Sequence, residues 1–152
     1  MKPTAGFTLI EVMVSIAILS LLAGISVYSF LNGLPERKVR AASRSLYAGI
    51  QETRSEAVKR GERITISFDL AADSYTITDA EGNRIGGHAF ADSINLYEIT
   101  RKDNSFTYNP RGMGESATAR IQYCKSGPLK RGVRVTSAGG IALIDETDNN
   151  WE

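Results

Sequence analysis

The chain has 152 residues, 18 of them basic and 17 acidic, for a net charge of +1. That balance gives no general attraction to nucleic acid, and the length suits one small domain with its own core. The only cysteine, Cys124, excludes an internal disulfide and is expected as a small buried hydrophobe in a strand. The only histidine, His88, is expected on a surface loop in a Gly-rich turn; alone it builds neither a metal cluster nor a Ser-His-Asp constellation. No Gly-rich loop leads into a helix, so no enzyme chemistry, cofactor or metal site is expected.

In chain order, a short stretch with Lys2 precedes an apolar run from Phe7 to Leu31, 25 residues carrying one charge, the carboxylate of Glu11. As a helix at about 1.5 Å per residue it covers about 37 Å, enough to cross a hydrocarbon core of about 30 Å. A carboxylate near the centre of such a span costs about 2.5 to 3.5 kcal/mol, so Glu11 needs a partner and is the first functional candidate. The run is too long for the apolar region of a secretory signal peptide, and no Ala-x-Ala site closes it. Counting cations, Lys2 before the span against Arg37, Lys38, Arg40 and Arg44 after it, favours a cytoplasmic domain.

Asn32-Gly33-Leu34-Pro35 interrupts the run, and the missing N–H of Pro35 predicts a kink or short break. An amphipathic helix is predicted over 36–60. Val39, Ala42, Leu46, Ile50 and Ala57 recur at three, four or seven residues, with Tyr47 and Val58 widening the stripe. Lys59 and Arg60 suit the negative end of the helix dipole, and Gly61 suits its cap.

From 62 to 144 the period changes to two, as in Ile64, Ile66 and Phe68 against Thr65, Ser67 and Asp69. Further short strands are predicted at Tyr75–Ile77, Ile94–Ile99, Ser105–Tyr108, Ala119–Cys124, Gly132–Thr136 and Ile141–Ile144. Turns fall at Ala71–Ser74, Glu81-Gly82-Asn83, Asn109-Pro110-Arg111-Gly112 and Lys125-Ser126-Gly127-Pro128. About seven strands after one helix predict an α+β fold, antiparallel sheets packed against that helix. Residues 145–152 read as a flexible acidic tail; its carboxylates lack the order of an EF-hand.

Gly6-Phe7-Thr8-Leu9-Ile10-Glu11 followed by a long apolar helix resembles the signal of type IV pilins and type II secretion pseudopilins. Phe106 to Gly112, Ile121 to Cys124 and Val133 to Gly140 are similar to the GspH/FimT group of minor pilins and pseudopilins. The resemblance implies a leader at 1–6, a membrane and filament-core helix at 7–31, and a periplasmic domain at 32–152. It implies cleavage between Gly6 and Phe7 by a prepilin peptidase, N-methylation of Phe7, and subunit assembly through Glu11, which pairs with the new amine of another subunit. This specific signal outweighs the cation count for topology.

The implied partners are sibling pilins or pseudopilins, an inner-membrane assembly platform with its ATPase, and lipid before assembly into a type IV pilus or type II secretion pseudopilus. Where many type IV pilins place a proline within the run, this chain has Tyr28. A pilus-tip DNA receptor is the alternative from another class, a single-pass membrane protein outside any filament a further one. DNA-binding members of the group carry Gly-Arg-x-Arg where this chain reads Gly139-Gly140-Ile141-Ala142. The cations nearby are Lys125, Lys130, Arg131 and Arg134, with no aromatic interleaved in sequence to stack bases, so a nucleic-acid partner is not expected.

Overall fold

The computed structural model describes residues 7–124 and 129–145, with the backbone alone at residues 25–29, 31 and 32. The expected leader at 1–6, the turn at 125–128 with Lys125, the tail beyond Asp145 and the side chain of Tyr28 lie outside the described residues. The order is α1 (Leu9–Arg60), β1 (Ile64–Asp69), β2 (Ser74–Thr78), β3 (Arg84–Ala89), β4 (Ile94–Ile99), β5 (Ser105–Tyr108), β6 (Ala117–Tyr123), β7 (Lys130–Val135) and β8 (Ile141–Asp145). Two compact units divide the chain, Met1–Leu34 and Pro35–Glu152.

Helix α1 runs unbroken through Pro35, so the break expected at residues 32–35 is absent from the helix. Pro35 cannot donate to the carbonyl of Leu31, but a long helix tolerates one missing bond when its other turns remain paired. The ends follow local rules. At the C-terminus Gly61 takes φ 69°, and its N–H donates to the carbonyl of Ala57 at 3.1 Å. Hydrogen bonds from Arg60 and Lys59 in the last turn hold the Glu56 carboxyl below its usual range.

Within Pro35–Glu152 the helix packs against two four-stranded antiparallel sheets. Their strand orders are β3-β2-β1-β5 and β4-β6-β7-β8. Val39, Leu46, Ile50 and Ala57 are buried as the helical stripe requires; Ala42 and Tyr47 are half-buried, and Val58 is 54% exposed. Ile64, Ile66 and Phe68 of β1, Ile77 of β2, Phe106 and Tyr108 of β5, and Ile121 and Val133 of the second sheet join them in one core. Each large side chain removed from water contributes about 1.5 to 3 kcal/mol before chain entropy is counted.

The helix approaches the first sheet closely at Gly49. A Cβ on Gly49 would collide with the ring and hydroxyl of Tyr75, so the helix backbone there lies directly on the β2 aromatic. Burial, and then the carboxylate of Glu52, pushes the Tyr75 hydroxyl up from its usual range. Residue size decides this approach.

Two further sequence expectations are corrected. His88 belongs to strand β3, which pairs with β2 in the register Ser74↔Ala89 to Thr78↔Arg84, and not to a turn. Its ring lies edge-on to Phe90 with centroids 5.2 Å apart. Gly86 and Gly87 look like punctuation in sequence, yet both lie in β3, and position 87 takes glycine because a Cβ there would meet the Tyr75 carbonyl at 2.6 Å. Cys124 is exposed and sits just past β6 at φ 55°, because β6 closes at Tyr123. It is therefore not a buried strand residue.

Candidate functional site

Thr8 stands at the N-cap of α1. The backbone N–H of Glu11 donates to Thr8 Oγ1 at 3.3 Å and to the Thr8 carbonyl at 3.2 Å. Thr8-Leu9-Ile10-Glu11 has the spacing of a capping box, so the acid lies in the first turn, where the helix dipole favours a negative charge. Its carboxylate has no ion-pair partner among the described residues.

Apart from Thr8 and Ser15, the described surface around that acid is apolar. Phe7 is 84% exposed, Leu9 81% and Leu21 72%, and Ile10, Met13, Ile16, Ile18 and Leu19 are all more than half exposed. The hydroxyls of Ser15 and Ser20 are satisfied within the helix: Ser15 donates to the carbonyl of Glu11 at 2.7 Å and Ser20 to that of Ile16 at 2.8 Å. A helix apolar all round is normally covered by protein or lipid. Among the described residues of this run, Glu11 is the charged group that apolar cover leaves unpaired.

Among the described residues no helix is long and apolar enough to cross a membrane. Gly6 lies outside the described residues, Phe7 precedes the helix as an exposed residue, and Glu11 lies in its first turn.

The cations beyond the apolar run are spread along α1. Arg40 pairs with Glu36 at 2.7 Å, while Lys38 and Arg44 are exposed. On the second sheet Arg131 pairs with Asp145 at 3.0 Å, and the Lys130 ammonium stands 5.9 Å from the centre of the Tyr97 ring. The set considered for phosphate is thus already engaged by neighbours at Lys130 and Arg131. Gly139, at φ 82°, is in the β7–β8 turn, where the N–H of Thr136 donates to the Gly140 carbonyl at 2.9 Å. Among the described residues no group of three or more His, Cys, Asp and Glu side chains could hold a metal.

Two structural side chains escaped the sequence reading. The carboxylate of Asp73 accepts from the N–H of Leu96 at 2.7 Å and from Asn95 Nδ2 at 3.0 Å, tying the β1–β2 turn to edge strand β4. Arg54 Nε donates to the Gly112 carbonyl at 3.0 Å, fixing the 109–112 turn against the helix. An acid in a turn was legible, but its partner 23 residues away was not.

Comparison with known proteins places these features. Residues 42–139 match the family described as type II transport protein GspH, and residues 1–27 match the prokaryotic N-terminal methylation motif. Among curated proteins no significant match is found. Of solved structures, the type IV minor pilin FimU of Pseudomonas aeruginosa is similar, with TM-score 0.62 and 21% identity over 74% of this chain and 92% of that one. The minor pseudopilin EpsH of the Vibrio cholerae type 2 secretion system aligns with TM-score 0.63 and 13% identity, covering 73% and 99%. At these identities the two structures show a shared fold, a helix packed on antiparallel sheets. The GspH match itself spans nearly two thirds of the residues, so the chain belongs to the GspH family, as a minor pilin or pseudopilin.

Proposed function

We propose that the chain is cut between Gly6 and Phe7 by a prepilin peptidase, methylated on the Phe7 amine, and held in the inner membrane by residues 7–31 with residues 32–152 in the periplasm. It is then extracted by the assembly platform into a type IV pilus or type II secretion pseudopilus beside sibling subunits. The observation that carries this reading is the uncovered apolar helix whose one acid, Glu11, has no ion-pair partner among the described residues. Lipid covers the apolar surface and leaves the acid unpaired. A filament core covers the same surface and supplies the ammonium of another subunit's Phe7. A lone buried ion is costly and a paired one is tolerated, so the pair selects the register of assembly. The function is structural; the β-rich domain decorates the filament.

Intact mass and N-terminal analysis of the membrane form, with and without active peptidase, tests the processing. The expected product begins at N-methyl-Phe7; a chain that still begins at Met1 beside active enzyme overturns it. Glu11→Val should insert in the membrane normally and enter filaments at least tenfold less, read by immunoblot of sheared filaments. Normal incorporation would remove the role assigned to the acid.

A further inference from the structure

An apolar trough of about 320 Å³ runs beside α1 in the folded domain. One wall is a helical stripe with spacing i, i+3, i+4, i+7: Lys38, Ala41, Ala42 and Ser45. The other is formed with Phe90 and Ile94, whose side chains are buried at its base. The three small residues would let a second helix come close, since backbones approach where side chains are short. The stripe covers about 10 Å along the helix, the length of two turns.

Charge decides what fits. Lys38, at one end of the trough, is exposed and has no ion-pair partner among the described residues. An occupant matched to the site is therefore an apolar helix with one carboxylate near its start. Residues 7–14 of this chain have that composition: Phe7, Leu9, Ile10, Val12, Met13 and Val14 around Glu11.

We propose that this trough receives the first two turns of the apolar N-terminal helix of a neighbouring subunit in the filament, whose acid, the counterpart of Glu11, binds Lys38. The inference rests on the filament reading above and adds a second cation to it. A carboxylate has two oxygens and about four lone-pair sites, so it accepts from a lysine and a terminal amine together. Lys38 then places the incoming helix along the trough, while Ala41 and Ala42 set its depth.

The test places a photo-crosslinking residue at Ala41 of the full chain, expressed with its assembly system, and maps the cross-linked peptides by mass spectrometry. Cross-links to the first two turns of a pilin-like subunit's N-terminal helix are the expected result. Cross-links confined to globular domains or lipid, or none in filaments that contain the chain, overturn the proposal and leave the filament reading intact. In parallel, Lys38→Glu sets like charges together and should lower incorporation about tenfold without altering thermal unfolding, whereas Lys38→Arg should incorporate normally. Unchanged incorporation of Lys38→Glu also sinks it. A chain that keeps its leader fails earlier, at the processing step, which separates the two failures.

Discussion

The two halves of α1 make opposite use of the same backbone. Between residues 9 and 24 apolar side chains point in every direction and stay exposed, whereas between Val39 and Ala57 they keep to one stripe that the two sheets bury. The second half therefore carries the domain's stability, and the first half holds its apolar surface in reserve for whatever covers it. A single period, 3.6 residues, governs both; what differs is whether polar residues interrupt the pattern. Folding uses one half and assembly the other.

Substitutions can break this division of labour. The largest expected effect is in the buried stripe: Leu46→Ala removes a side chain with 0% exposure and should cost about 2 to 5 kcal/mol in urea unfolding, with processing at Phe7 unaffected. A loss below about 1 kcal/mol would mean that the core does not depend on the helix.

Next comes pH. Burial pushes the Tyr108 hydroxyl up to about 12, with the Arg54 guanidinium pulling slightly the other way. Because the folded value lies above the unfolded value of about 10, this contribution is fully present below pH 10 and is lost as pH rises toward 12. The loss is about 2 to 3 kcal/mol. Tyr108→Phe should show a correspondingly smaller alkaline loss in unfolding titrations at pH 9 and pH 12. At neutral pH the variant should be at least as stable, since the buried hydroxyl has no hydrogen-bond partner among the described residues. Equal alkaline losses in both proteins would assign the effect elsewhere.

The smallest effect sharpens the comparison from the other side. Leu19→Ala, in the exposed half, should leave domain unfolding within about 0.5 kcal/mol. A larger change would show that the apolar half supports the folded domain after all.

Much of the molecule was legible from local rules. The switch from period 3.6 to period 2 after Gly61 locates the helix end and seven of the eight strands, because each has an apolar face whose spacing matches its backbone. Strand β3 was not legible. Arg84-Ile85-Gly86-Gly87-His88-Ala89 has neither alternation nor β-branched density beyond Ile85, and only the ladder offered by β2 holds it extended. Gly49, Ser43 and Thr53 likewise interrupt the apolar stripe in sequence but are buried in the fold. The Thr53 hydroxyl is satisfied by the carbonyl of Gly49 at 2.8 Å.

The covalent order of residues by itself determined the apolar run, the acid at Glu11, the cap at Gly61, the helical stripe and the alternation of most strands, since each depends on neighbours within a turn or two along the chain. Tertiary structure alone decided that Gly86 and Gly87 extend into a strand, that Asp73 ties the β1–β2 turn to β4, that Cys124 faces solvent, and that Ala41 and Ala42 line a trough with Phe90 and Ile94. Those outcomes depend on contacts between residues far apart in the chain, which no local period encodes.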